Sequence, residues 1–149
     1  MKLEKKYNLN DLALMTGFTT RTLRNYLLGG ILKGEKIDGV WQFSDEDLDR
    51  FFAEPFVKEG IRIKRNGVVF DFLAAKGAKT ARTCVVLDVP ATLKEGNAIS
   101  RFFCDRMNDA SDVVFTFDWE KGCCRIILSG DAEQVASLVR AFNETNFTL

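Results

Sequence analysis

The stretch from residue 9 to residue 52 constrains the fold of this chain more than any other, because start and stop signals for short elements follow one another closely. Asn8 or Asn10 can cap a first helix, and Thr16-Gly17 can end it. Thr19 can cap a second helix that runs to about Leu28. We therefore expect two short helices joined by a tight turn.

The second helix has an apolar side and a polar side. Leu23, Tyr26 and Leu27 recur at helical spacing and are expected to face inward. Arginine and asparagine can donate paired hydrogen bonds to guanine, adenine or phosphate, and threonine hydroxyls suit phosphate oxygens. The pattern indicates a helix that reads double-stranded DNA through outward-facing polar residues at its start, which are Thr20, Arg21, Thr22, Arg24 and Asn25.

A small basic hairpin and a third helix are predicted next. Asp38-Gly39 between Ile37 and Val40 is a strong signal for a two-residue hairpin turn. The segment Ser44-Asp45-Glu46-Asp47 predicts a capping box, with acids in the first helical turn where the helix dipole favours them.

At these residues the chain resembles the winged helix-turn-helix DNA-binding domain of MerR-type regulators and their excisionase-like relatives. The matching segments follow the family's order: Thr16-Gly17, Arg21 to Arg24, Tyr26, Gly30 to Leu32, Gly39 and Phe43 to Leu48. The resemblance covers about the first 55 residues. It implies a second helix in the major groove, a hairpin wing beside the backbone, and DNA contacts from Thr20, Arg21, Thr22 and Arg24. It also implies that Tyr26 braces the helix or contacts a phosphate.

Three positions depart from the family's pattern. Asn25 stands where a second tyrosine is frequent, Lys33 where proline is common, and Trp41 where a wing arginine is frequent. Lys33 and Lys36 could supply the positive charge of the wing, and Trp41 is expected to pack rather than to contact DNA. Thr19, Asn25, Lys33 and Lys36 complete the set of candidate DNA contacts.

Residues 56–80 are expected to form a connecting helix, because apolar residues recur there at near-helical spacing through Ala74-Ala75. A hairpin is the alternative, since residues 61–65 and 68–72 flank Asn66-Gly67, a good turn sequence.

Residues 81–149 are predicted to form a small α+β unit in the order βαββα, or βαββαβ if residues 146–149 add an edge strand, which is a ferredoxin-like plan. Strands are expected at 83–89, 112–119 and 123–128. One helix is expected over Thr92–Met107, and another beginning at Ser129-Gly130-Asp131. The predicted class is therefore α+β, with a DNA-binding domain at 1–55, a connecting helix at 56–80 and a dimerisation or sensor domain at 81–149.

The charge of the chain is unevenly divided. Residues 1–82 hold 15 Lys and Arg against 11 Asp and Glu, a net of +4, and residues 83–149 hold 6 against 10, a net of −4. This division fits a DNA reader with a second domain that makes no DNA contacts. No run of about 18 apolar residues and no signal-peptide core is present, so a cytoplasmic protein away from membranes is expected.

Residues that carry catalysis or bind metals are few. The chain has no histidine and no nucleotide-binding or nucleophile motif, so no enzyme, cofactor or metal is predicted. Four cysteines are expected to stay reduced as core residues, and adjacent Cys123 and Cys124 would point to opposite faces of a strand. The other cysteines are Cys84 and Cys104, and the acids Asp88, Asp105 and Asp109 are expected to be solvated or capping residues.

Three classes of function are compatible with these residues. The first is a sequence-specific transcriptional regulator that binds DNA as a homodimer, because a small reader usually needs two copies to span paired half-sites. The second is an adaptor whose N-terminal domain docks another protein. The third is a sensor whose α+β unit binds a small-molecule or metal effector and so sets DNA affinity.

Overall fold

Six helices and five strands occur in the computed structural model, which describes residues 7–147. The helices are α1 (Leu9–Thr16), α2 (Thr20–Leu28), α3 (Asp45–Ala53), α4 (Pro55–Ala74), α5 (Leu93–Met107) and α6 (Ala132–Glu144). The strands are β1 (Glu35–Ile37), β2 (Val40–Gln42), β3 (Arg82–Pro90), β4 (Val113–Glu120) and β5 (Cys123–Asp131). The predicted α+β class is confirmed. Two compact units divide the chain at residues 64 and 65, inside α4.

The turn between α1 and α2 is held by one buried hydroxyl. Gly17 ends α1 in the left-handed conformation, with φ of 78°, and donates its N–H to the Ala13 oxygen at 3.0 Å. The Thr16 hydroxyl donates to the Leu12 oxygen at 2.7 Å and accepts the Phe18 N–H at 3.1 Å. Because Thr16 is fully buried, no water can replace these bonds, and the direction of the chain into α2 is fixed.

An aromatic cluster lies behind α2. The Tyr26 ring lies 5.8 Å, centroid to centroid, from each of Phe18, Phe51 and Phe56. Gly60 on α4 gives Phe18 its space, since a Cβ there would lie 2.9 Å from the Phe18 Cζ. The cluster joins α2, α3 and the start of α4 into one core.

The hairpin and the capped third helix form as predicted. β1 and β2 pair antiparallel around the turn Asp38-Gly39. Ser44 caps α3 by accepting the Asp47 N–H at 3.2 Å, and the Asp47 carboxylate accepts the Ser44 N–H at 2.9 Å. Phe43 extends the hairpin by exchanging two backbone hydrogen bonds with Tyr7, at 2.8 and 2.9 Å.

The connecting segment is a helix, and the hairpin alternative for residues 61–73 is not what forms. Asn66-Gly67 lies inside α4, where the buried residues Ile61 and Arg65 recur at helical spacing. Burial of residues at this helical spacing therefore outweighs the turn preference of Asn-Gly. α4 ends at Ala74, however, so the prediction of helix for residues 75–80 is wrong.

The second unit is built around β5. The sheet order is β3-β5-β4, and β5 is antiparallel to both neighbours. With α5 between β3 and β4 and α6 after β5, the predicted order βαββα is observed. α5 packs on β4, whereas α6 packs on β3 and β5. The core between these helices and the sheet contains Phe103, Phe115, Ile126, Leu128 and Val135.

The end of β5 corrects the predicted start of the last helix. Ser129 and Gly130 belong to the strand, and Asp131 caps α6 by accepting the Gln134 N–H at 3.0 Å. Gly130 has φ of 154°, and a Cβ there would collide with the Asp112 carbonyl oxygen. Gly130 is therefore required because the Asp112 backbone passes close to it. The local sequence Ser-Gly-Asp suggested a helix start, but its glycine continues the strand.

The edge strand considered for residues 146–149 is not observed at Asn146 and Phe147, and residues 148 and 149 lie outside the described residues. The Phe147 ring instead packs on Phe102 and Phe142, with centroid distances of 5.5 and 5.3 Å.

We expect Thr16→Val to lower the free energy of unfolding by about 1–3 kcal/mol, because it leaves the buried Phe18 N–H without its acceptor. Thr20→Val is the control, because Thr20 is half-buried at the first position of α2. This substitution should lower the free energy of unfolding by less than about 0.5 kcal/mol. Urea denaturation would measure both. Equal stability of the two variants would contradict the role given to the Thr16 hydroxyl.

Candidate nucleic-acid interface

The exposed face of α2 collects three of the five residues predicted to face outward, whereas Thr20 and Thr22 are half-buried. Arg21, Arg24, Asn25 and Leu28 are all exposed, and their spacing of i, i+3, i+4 and i+7 places them on one side of the helix. The opposite side carries Leu23, which is fully buried, and the half-buried Tyr26 and Leu27. The helix therefore presents two cations and one amide outward from an anchored apolar side.

The start of α2 uses two of its threonines internally. The Thr19 hydroxyl accepts the Thr22 N–H at 3.1 Å and donates to the Thr22 hydroxyl at 3.0 Å. Helix geometry leaves the N–H groups of Thr20 and Arg21 without an intrahelical acceptor. Thr19 and Thr22 thus shape this helix end, and the free N–H groups beside Arg21 favour an anion such as phosphate.

The two α2 arginines differ from other exposed arginines of the same unit. Arg50 pairs with Asp47 at 3.0 Å, and Arg62 pairs with Glu59 at 2.5 Å. Within residues 7–147, neither Arg21 nor Arg24 has a carboxylate partner. Their guanidinium groups can therefore bind an external anion without first breaking an ion pair.

Tyr26 has contacts that suit a brace. Its ring belongs to the aromatic cluster, and its backbone oxygen accepts the N–H groups of Ile31 and Leu32 at 2.9 and 3.1 Å. These bonds end α2 and direct the chain toward the hairpin.

The two predicted lysine contacts lie on the first strand of the hairpin and just before it. Lys36 faces Trp41 across the strand pair, and its Nζ lies 5.8 Å from the centre of the indole ring. Trp41 is half-buried and stacks on Phe43, as expected of a packing residue. Lys33 is exposed on the segment between α2 and β1. Lys33 therefore precedes the hairpin, Lys36 lies on its first strand, and neither belongs to the α2 face.

Leu28 was not among the predicted contact residues. It is 86% exposed at the end of the α2 face, although a large apolar side chain in a small domain is usually buried. The available sequence signal was its position seven residues after Arg21, which places it on the same side of the helix.

The cysteines do not assemble a metal site. No group of three or more His, Cys, Asp or Glu side chains that could hold a metal ion exists among the described residues. Cys123 and Cys124 lie on opposite faces of β5, as predicted; Cys124 is fully buried beside Gly96 of α5, and Cys123 is half-buried. Burial raises the pKa of the Cys124 thiol to about 12, and burial also raises the pKa of Cys84.

Two of the three acids expected to be solvated or capping residues, Asp88 and Asp105, pair with arginines. Asp88 accepts two hydrogen bonds from Arg125, at 2.7 and 2.8 Å, which lower its pKa. Asp105 lies 3.6 Å from the Arg101 guanidinium. These contacts describe surface ion pairs rather than a pair of carboxylates that share a proton.

At about pH 8 we expect iodoacetamide to label the half-buried Cys123 and to leave Cys124 unmodified in the native protein, because Cys124 is inaccessible and burial raises the pKa of its thiol to about 12, which keeps it out of the reactive thiolate form. Labelling in urea should reach both, and tandem mass spectrometry would assign the sites. Equal native labelling would contradict the burial of Cys124.

The burial of Cys124 should also lower the stability of the fold as pH rises from about 9 to about 12. In that range the Cys124 thiol loses its proton in the unfolded chain but keeps it in the folded one.

No helix in the described part of the chain is long and apolar enough to cross a membrane. Comparison of the chain with protein-family models, with curated proteins and with solved structures finds no match.

Proposed function

We propose that the chain is a sequence-specific, DNA-binding transcriptional regulator of MerR-like type, with α2 as its recognition helix. The observation that carries the proposal is the α2 face, where Arg21, Arg24 and Asn25 project together from a helix that is anchored on its other side. A helix enters the major groove of a DNA duplex, and these side chains match the base edges displayed there.

Each part of this face has a role in the proposal. Arg21 and Arg24 donate to guanine or to phosphate, and Asn25 donates to and accepts from adenine. The N–H groups at the start of α2, with Thr20, bind a backbone phosphate. The exposed methyl groups of Leu28 suit contact with the methyl group of thymine.

The β1–β2 hairpin is proposed as the wing of a winged helix-turn-helix domain. Lys33 and Lys36 contact the phosphate backbone beside the groove, where such contacts fix position rather than sequence. Trp41 packs under Lys36, and Tyr26 braces α2 from behind.

The second unit is proposed to follow a ferredoxin-like plan and to serve dimerisation or an effector response. A homodimer would place two copies of α2 on paired half-sites, which is how small helix-turn-helix readers gain affinity.

Selection of bound duplexes from random DNA tests the proposal. We expect an enriched motif with the native chain and its loss with Arg21→Ala/Arg24→Ala, because each lost base contact costs about 1–3 kcal/mol. Arg50→Ala/Arg62→Ala is the matched control, since these exposed arginines of the same unit are paired with carboxylates. The control should keep the motif, and both variants should keep their melting temperature.

Two results would contradict the DNA-reading role. One is a folded protein that enriches no motif and binds all duplexes equally, with an affinity that only salt controls. The other is equal loss of binding in the α2 variant and its control. Either result would favour the adaptor function, in which the α2 face docks another protein.

A further inference from the structure

Among the described strands, β3 pairs on one side only, with β5. The Ala132 N–H donates to the Ala81 oxygen at 3.0 Å, and the Ala91 N–H donates to the Gly122 oxygen at 2.9 Å. Because backbone groups alternate sides along a strand, the odd-numbered residues of β3 bond to β5. The N–H and C=O groups of Cys84, Val86 and Asp88 therefore point away from β5, and no described strand pairs with them. Such an edge is a template for another strand.

A groove of about 610 Å³ runs beside this edge, between β3 and α6. Its walls are mainly apolar, and four of the lining residues recur at i, i+3, i+4 and i+7 along α6. The lining includes Thr83 and Val85 of β3 and Ala132, Val135, Ala136 and Val139 of α6. A strand added at the edge would place side chains over this groove.

The other face of the sheet carries a row of alternating charges, which we call the charge ladder: Arg65, Asp118, Arg125 and Asp88. Arg65, almost fully buried, pairs with Asp118 at 2.6 Å. Asp118 and Asp88 both face Arg125 in the strand register, and Arg125 pairs with Asp88 at 2.7 Å. The ladder therefore runs plus, minus, plus, minus and ends on a carboxylate at the open edge.

We propose that β3 pairs antiparallel with β3 of a second copy of this chain, centred on Val85, so that the two sheets become continuous. This register sets Arg82 opposite Asp88 of the second copy, and the two-fold axis repeats the pair. Cys84 then lies opposite Val86. All of these positions are even-numbered, so the unpaired backbone groups of both edges meet as hydrogen-bonded pairs.

The side chains on both faces support this register. Arg82 and Asp88 lie on the same face of β3, and Arg82 already pairs with Asp112 at 3.0 Å. Across the junction the charge ladder would continue from Asp88 to Arg82 and Asp112 of the second copy, with its signs still alternating. Val86, half-exposed at the edge, would be covered by Cys84, and Val85 would meet its own counterpart beside the groove. Such self-complementarity is what a two-fold interface requires.

Charge reversal tests the register. Arg82→Glu and Asp88→Lys each place two like-charge pairs at the junction, and each should raise the dimer dissociation constant by about tenfold or more in analytical ultracentrifugation. The double variant Arg82→Glu/Asp88→Lys restores opposite charges between copies and should return the constant toward the wild-type value. Within one chain it restores nothing, because Glu at 82 would face Asp112 and Lys at 88 would face Arg125.

A second pair of variants tests the edge independently of the charges. Val86→Lys should weaken the dimer, because it adds a charged side chain at the β3 junction. Val114→Lys is the matched control, since Val114 is similarly exposed, at 54% against 50%, on the same sheet face of the opposite edge strand β4. Circular dichroism would show that each variant is folded.

Four outcomes would overturn the proposal: a monomeric wild-type chain, a dimer that no β3 variant weakens, a double variant weaker than both single variants, or equal weakening by Val86→Lys and Val114→Lys. The ultracentrifugation samples contain no DNA, so the absence of a β3 dimer would not contradict DNA binding by α2. Likewise, failure of the DNA selection would not contradict the β3 dimer.

Discussion

The Tyr26 ring, beside the fully buried Leu23, connects α2 to three other parts of the first unit. Its ring packs against Phe18 from the turn before the helix, Phe51 from α3 and Phe56 from α4. Aromatic pairs at this separation contribute about 0.5–1.5 kcal/mol each beyond the area they bury. The Thr16 hydroxyl fixes the chain at one end of α2, and the Tyr26 carbonyl ends the helix at the other. The exposed face of α2 is therefore presented by a rigid support rather than by a mobile loop.

Local chemistry predicted much of the first unit. The helix starts at Thr19 and Ser44 and the hairpin turn at Asp38-Gly39 were predictable, because each depends on hydrogen bonds or backbone angles within four residues. For α1 the sequence left two candidate caps, Asn8 and Asn10, and Asn8 is the cap in the structure. The exposure of Arg21, Arg24 and Asn25 on one side of α2 followed from helical spacing. In the second unit, the order of strands and helices followed from alternating patterns and from the cap at Thr92.

Features that depend on distant partners were not predictable in the same way. Gly130 continues β5 because the Asp112 backbone passes close to it, which the local sequence Ser-Gly-Asp does not show. The apolar spacing that predicted α4 did not mark its end at Ala74, three residues before the left-handed Gly77. The burial of Arg65 depends on Asp118, which lies 53 residues away in the chain. Leu28 is exposed although its residue type predicts burial, and only its position on the helix places it with Arg21.

The distribution of indole rings gives each unit its own optical reporter. The chain has two tryptophans: Trp41 stacks on Phe43 in the first unit, and Trp119 in the second donates its Nε1–H to the Ala91 oxygen at 3.1 Å. Indole emission depends on the polarity around the ring, so replacing either tryptophan with phenylalanine leaves a chain whose fluorescence follows one unit alone. Coincident transitions of the two single-tryptophan chains would mean cooperative unfolding of the whole chain, and separate transitions would give each unit a stability of its own.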